Sequence, residues 1–312
     1  GPVDAARDAD DSRLAVTVAR RHYLADESKV DIVSSLGISR FKVARLLDLA
    51  RAEGTVRIQI VDPHEADDRL AVRVREAFGL QECRVVASDL PEPLLGAELG
   101  AAGARLLAGV LTAEDCLGLP WSRTVHRVVD ALQGLPPVPV VQLCGSLVQP
   151  GEQSAVDLVR HAAAVTRGST RVFHAPLIMP TAAGAEALRS QPDVREALAA
   201  AEQVTVAVCS IGAWGPGVST IYDAATAEAR EAVAAAGAVG ETMGVFFAAD
   251  GTAVRPELSD RLITVSANQL RHTRTVVALS RGTERADATR AVLRSGVVDR
   301  LVIDSDLAHA LY

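Results

Sequence analysis

Residues 29–46 read KVDIVSSLGISRFKVARL, and their spacing decides how the first part of the chain folds. Apolar Ile32, Leu36 and Ile38 surround Gly37, and Val43 and Leu46 follow six and nine residues after it. Two short helices that cross steeply need small or apolar residues where they touch and a glycine where the chain reverses, so this stretch is expected to be a helix-turn-helix. Ser28 is placed to cap a helix over 28–35, with Asp31 at its third position, and Ser39 to cap a second helix running to about Arg51 before Gly54. Val33 stands where such motifs usually carry alanine, which implies a slightly wider crossing. The solvent-facing start of the second helix, Ser39, Arg40, Phe41, Lys42 and Arg45, is then the part offered to a major groove. Arg40 and Arg45 are assigned to base edges, because a guanidinium can hold O6 and N7 of guanine together, and Ser39 and Lys42 to phosphates. Arg20 and Arg21 add phosphate contacts from a preceding helix marked by Leu14, Val16, Val18, Ala19 and Tyr23.

Upstream, residues 1–11 hold four Asp and three Ala, have little to bury, and are expected to be a disordered tail; Gly1-Pro2 looks like a protease scar. Downstream, Val56, Ile58 and Ile60 alternate with Arg57 and Gln59, the pattern of a short half-buried strand that could form a wing, and Asp62-Pro63 marks a boundary. The organisation expected is a helix-turn-helix domain over 12–61 and a larger domain over 62–312. Charge follows the same division. Arg13 to Arg57 carries nine Lys or Arg against five acids, whereas Val61 onward carries 22 basic and 30 acidic residues. A cationic head on an anionic body suits a protein of which only the head meets a polyanion.

In the larger part, β-branched runs at 83–87, 138–143, 204–209, 275–279 and 301–303 alternate with helical stretches at about 66–77, 94–110, 123–133, 154–166, 193–202, 224–236 and 284–294. Such alternation implies βαβ units, hence an α/β domain with a parallel, Rossmann-like sheet and ligands beyond the carboxyl ends of its strands. Three loops follow strands there: Cys144-Gly145-Ser146, Ser210-Ile211-Gly212 and Ser280-Arg281-Gly282. With 312 residues, 49% hydrophobic, the chain can fill a sizeable core. Residues 204–222 carry no charge but contain Pro216 and three glycines, so no membrane span is expected. Four cysteines without a C-x-x-C pair fit a reduced, cytoplasmic protein, and 3% aromatics leave no stacking platform for single strands. No zinc-protease, P-loop, nucleophile-elbow or dinucleotide motif occurs, and neither a cofactor nor a metal is expected.

From about residue 13 to its end the chain resembles the SorC-type (SorC/DeoR-like) sugar-responsive transcriptional regulators of bacteria. The likeness is carried by residues 19–24 and 36–47 in the head, then by Leu117 to Thr124, Val141 to Leu147, Gly237 to Glu241 with Phe246, Phe247, Asp250 and Gly251, and Leu293 to Asp304. The resemblance implies double-stranded operator DNA as partner, a domain related in fold to sugar-phosphate isomerases that binds a phosphorylated sugar or polyol, and a homo-oligomer, dimer or tetramer. Departures stand beside the matches. Ser122-Arg123 replaces a usual glycine pattern after Trp121, Ser146 replaces the second glycine of a pair, Glu241 replaces Asp, and Arg285 stands where the family usually carries lysine. Some members hold their sugar through a lysine Schiff base; residues 61–312 contain no lysine, so binding here is expected to be non-covalent.

The effector residues expected are Gly145, Ser146 and Leu147, whose loop amides would face an anion with Arg281, Gly282 and Arg285 nearby, and Thr124, Gln142, Ser210, Gly212 and Glu241 for hydroxyl recognition. His174 and Trp214 are candidate roof residues, and Cys144 and Cys209 are read as small buried thiols. The alternative reading is an isomerase-like enzyme with an accessory basic module, for which Glu241 is the one obvious general base.

Overall fold

Helix signals in the first sixty residues are local, and the computed structural model follows them closely. It describes residues 2–62, 68–147 and 151–312, with the backbone alone for 2–7. The expected boundary residue Pro63 and the first residues of the helix expected at 66 lie outside the described residues. The chain divides into two compact units, residues 1–60 and 61–312.

In the first unit, α1 (Pro2–Ala19) runs into a π-helical turn at Arg20–Leu24, followed by α2 (Lys29–Leu36) and α3 (Arg40–Ala52). A capping box starts α2: the Asp31 amide donates to Ser28 Oγ at 3.1 Å and the Asp31 carboxylate accepts from the Ser28 amide at 3.3 Å. Gly37 ends it at φ 67°, a left-handed conformation that glycine adopts without penalty. Ser39 caps α3 by accepting from the Lys42 amide at 3.1 Å. Ala15, Val18, Ile32, Val43, Leu46, Leu47 and Ala50 close the core, with Val33 partly buried at its margin.

Two expectations fail here. Residues 2–11 are not a tail but the first turns of α1. Acidic residues suit the positive end of the helix dipole, turns add cheaply to a helix already held by packing, and Asp11 finds two cationic partners on α3. Nor is there a wing: residues 56–60 form no strand, and Ile58 and Ile60 are exposed. A strand needs a ladder partner, and the described residues of this unit supply none.

The second unit is built on a seven-stranded parallel sheet. Its strands are β1 (Glu82–Val86), β2 (Leu117–Leu119), β3 (Val140–Gln142), β4 (Thr170–Arg171) and β5 (Val206–Ser210). After β6 (Gly212–Ala213), β7 (Ala238–Thr242), β8 (Val245–Ala248) and β9 (Ala253–Val254), which form an antiparallel sheet, β10 (Thr275–Ser280) and β11 (Arg300–Asp304) return to the main sheet. The order is β1-β11-β10-β5-β2-β3-β4. The helices are α4 (Arg69–Phe78), α5 (Leu94–Val110), α6 (Arg123–Asp130), α7 (Ala155–Thr166), α8 (Ala182–Arg189), α9 (Pro192–Ala199), α10 (Thr220–Ala224), α11 (Ala227–Ala235), α12 (Ala267–His272), α13 (Ala286–Arg294) and α14 (Ser305–Ala310).

Alternate residues of the central strands enter two separate cores: Val206, Val208, Val277, Leu279 and Val302 face α5, α6 and α7, whereas Ala207, Cys209, Val276, Ala278, Leu301 and Ile303 face α13 and α14. Burial on both faces is why these strands read as continuous apolar runs. The small sheet lies against α13, where a Cβ on Gly240 would stand 2.8 Å from that of Ala288. Helices α5 and α6 also meet closely: a Cβ on Gly100 would stand 2.6–2.8 Å from Arg127 backbone and Cβ atoms, whereas one on Gly109 would meet nothing within 4 Å. Gly100→Ala is therefore expected to cost about 1–3 kcal/mol through overpacking, and Gly109→Ala to stabilise by about 0.5–1 kcal/mol. Thermal unfolding of the two variants, moving in opposite directions, checks this packing.

Candidate functional site

Strands β2 and β5 are neighbours, but the chain leaves them in opposite directions, from β2 through α6 to β3 on one side and from β5 onward to β10 on the other. Where outgoing connections diverge, the space above the carboxyl ends stays open. A cleft of about 790 Å³, counting its mouth, lies there, lined by the loops after β2, β5 and β10 and by Glu241 of β7. Ser122 Oγ and Ser210 Oγ, from the two diverging loops, share a hydrogen bond of 2.7 Å. Ser122 also caps α6, accepting from the Val125 amide at 3.1 Å, which brings the start of that helix and Thr124 to the cleft wall.

Glu241 is the most constrained group in the cleft. Its strand pairs with β6 so that Glu241 lies opposite Gly212, where any Cβ would stand 2.4 Å from Glu241 Oε1; the glycine is required for the carboxylate to be there. Ser219 Oγ donates to Oε1 and the Gly244 amide to Oε2, both at 3.1 Å. Burial pushes the carboxyl above its usual range, against those hydrogen bonds and the opposing pull of Arg285. Arg285, itself held below the ordinary guanidinium range by burial and by Arg281 beside it, donates to the Arg281 carbonyl at 2.9 Å. Arg281 is ion-paired with Glu92. Gly282, at φ 84°, donates its amide to Asp304 at 2.9 Å, which fixes the turn carrying both arginines.

Of the residues expected from sequence, the structure brings Thr124, Ser210, Gly212, Glu241, Arg281 and Arg285 to one cleft, whereas Gly282 does not line it but forms the turn between the two arginines. It does not bring Gln142, Gly145, Ser146 or Leu147 there. Gln142 is fully buried and spends its amide on backbone, donating to the Cys144 carbonyl at 2.9 Å and accepting from the Phe173 amide at 3.0 Å. The Gly145 and Ser146 amides donate to the Ile263 and Ala175 carbonyls at 2.8 and 2.9 Å, so no anion can use them, and Leu147 is buried. Neither candidate roof residue covers the cleft. His174 is exposed elsewhere, and Trp214 donates to the Arg230 carbonyl and packs on Tyr222 and Phe246. Cys144 and Cys209 are buried thiols pushed up to about 12 and about 11 by burial, too high for thiolate chemistry.

Sequence reasoning missed Ser122 and the segment 217–223, including Ser219 and Asp223. A signal existed: Ser219 caps α10 by accepting from the Tyr222 amide at 3.1 Å, a cap readable from Ser three residues before Tyr222.

In the first unit, Arg40 and Phe41 at the start of α3 are exposed, Phe41 by 90%. Arg40 forms no hydrogen bond or ion pair among the described residues. Arg45 is not equally available: its Nη2 is 2.7 Å from Asp11 Oδ2, and Lys42 Nζ is 3.4 Å from Asp11 Oδ1. Arg20 is exposed, and Arg21 pairs with Glu27 at 2.7 Å. No helix among the described residues is long and apolar enough to cross a membrane.

A family model described as "Putative sugar-binding domain" matches residues 62–312. The chain is 30% identical over 313 residues to the erythritol catabolism regulatory protein EryD of Brucella abortus, covering 97% of this chain and 97% of that one. The chain belongs to the SorC-type family of sugar-binding bacterial transcriptional regulators. It is also 25% identical to the deoxyribonucleoside regulator of Bacillus subtilis, over 97% of this chain and 98% of that one. In fold it matches the full-length sorbitol operon regulator SorC of Klebsiella pneumoniae, with a TM-score of 0.75 and 23% identity over 96% of this chain and 98% of that one. These SorC-type relatives are named as regulators, not enzymes.

A carboxyl whose folded value is raised binds more protons folded than unfolded, so Glu241 removes stability as pH rises from its ordinary value, about 4.3, to its folded one. Glu241→Gln keeps the shape without the charge. The melting temperature of the variant is expected to exceed that of the parent at neutral pH, with the gain shrinking in acid; a gain independent of pH would contradict the assignment.

Proposed function

We propose that the first unit binds double-stranded operator DNA through α3, and that the cleft takes a phosphorylated sugar or polyol, non-covalently, whose occupancy controls operator binding. The observation that carries this reading is the pairing of opposite chemistries in one cleft. Glu241 with Ser219, Ser122, Ser210 and Thr124 can accept from and donate to several hydroxyls, and Arg281 and Arg285 offer planar donors to an anion. The lysine-free stretch 61–312 excludes a lysine Schiff base. The name of the Brucella relative ties that protein to erythritol, a polyol, which suits a hydroxyl-rich wall.

A homo-oligomer, dimer or tetramer, would place two or more heads on a pseudo-palindromic site in the cytoplasm, with ligand altering whether head spacing matches the half-sites. Ligand shifts that equilibrium only by its differential affinity for the two arrangements. A thermal-shift screen of sugar phosphates, free polyols and inorganic phosphate identifies the class. Arg285→Ala is expected to keep operator affinity while abolishing stabilisation by the phosphorylated ligand. An unaltered calorimetric affinity in that variant would refute the phosphate role of Arg285.

A further inference from the structure

We infer that Asp11 is a built-in competitor for DNA phosphate, seated on two cations of α3 that would otherwise be given to the duplex. This rests on the reading of α3 as the DNA-contacting helix and adds a residue that sets its specificity. The Asp11 carboxylate reaches across from α1 to Arg45 at 2.7 Å and Lys42 at 3.4 Å. Its side chain is only 15% exposed, whereas those of Arg45 and Lys42 are 59% and 38% exposed, so the anion is sheltered and the cations face outward. The hydrogen bond from Arg45 and the charges of Arg45 and Lys42 hold Asp11 below the usual carboxylate range, so it stays ionised wherever DNA binding is measured.

Carboxylate and phosphate are both acceptors that a guanidinium favours, so Asp11, which occupies Nη2 of Arg45, competes with a phosphate for that side chain. Phosphate contacts supply sequence-independent affinity, and base contacts supply discrimination. Arg45, expected from sequence at a base edge, is by this contact grouped with Lys42 among the phosphate-directed cations, so Asp11 subtracts from the first and leaves the second to Arg40, which has no competing partner among the described residues. Specificity rises because general affinity is held down.

The test is a salt titration of the full chain on a short random-sequence duplex, comparing the parent with Asp11→Asn and the charge-keeping Asp11→Glu. Freeing two cations for phosphates is expected to make Asp11→Asn bind tighter. Its plot of log affinity against log salt should steepen by about 1.8. Its advantage over the parent then shrinks about twelvefold between about 50 and 200 mM salt, while Asp11→Glu keeps the parental slope. In a Lys42→Ala/Arg45→Ala background the substitution should change nothing. If Asp11 were only a staple between α1 and α3, Asp11→Asn would melt earlier and bind no tighter, with the slope unchanged, and that result overturns the inference. A gain that persists without Lys42 and Arg45 overturns it as well. Failure of every form to bind the duplex at the lowest salt overturns the DNA-binding reading along with it, whereas parental binding with an unchanged slope in Asp11→Asn overturns this inference alone.

Discussion

Adjacent parallel strands whose outgoing connections turn opposite ways leave a gap above their carboxyl ends that neither loop can fill, and β2 and β5 are such a pair. The remaining features of the cleft depend on that gap. The Ser122–Ser210 hydrogen bond ties its two rims, α6 starts on one of them, and the small antiparallel sheet that interrupts the path from β5 to β10 carries Glu241 to its edge. The turn after β10, held by Asp304 of β11, supplies the arginines. Segments far apart in sequence thus converge through the order of β10, β5 and β2 in the main sheet and the placement of β7 in the small one.

Inside that gap the electrostatics are arranged in opposition. Glu241 is dehydrated and satisfied by Ser219 and Gly244, and Arg285 is dehydrated and partly satisfied by the Arg281 carbonyl. Each has donors or acceptors of its own, so neither must collapse onto the other, and a ligand with hydroxyls at one end and an anion at the other can be bridged between them. Arginine suits the anionic end better than lysine would, since its planar fork meets two oxygens at once and its charge is not lost on burial under ordinary conditions.

What was legible in the sequence was what is locally encoded. The caps Ser28 and Ser39, the reversal at Gly37, the helix at Leu94–Val110 and the apolar strands at the centre of the sheet all announce themselves within a few residues. Strand β2, at three residues, is too short to show a period, and the antiparallel strands owe their pairing to partners rather than to pattern. The Gly145 loop departs from its expected place for a related reason. It follows a strand as a ligand loop should, but β3 lies on the far side of β2 from β5, and its amides are consumed by the segments at Ala175 and Ile263. The acidic start of the chain has the composition of a tail, whereas the place of Asp11 is defined by what α3 sets opposite it.

The most direct test of the account is hydrogen–deuterium exchange of the full chain with and without the sugar phosphate or polyol that raises its melting temperature most. The account predicts protection concentrated in the loops after β2, β5 and β10, at about residues 121–125, 210–223 and 281–286, and in the Glu241–Gly244 turn. Protection confined to the Gly145–Leu147 loop, or to surfaces away from the diverging strands, would contradict it.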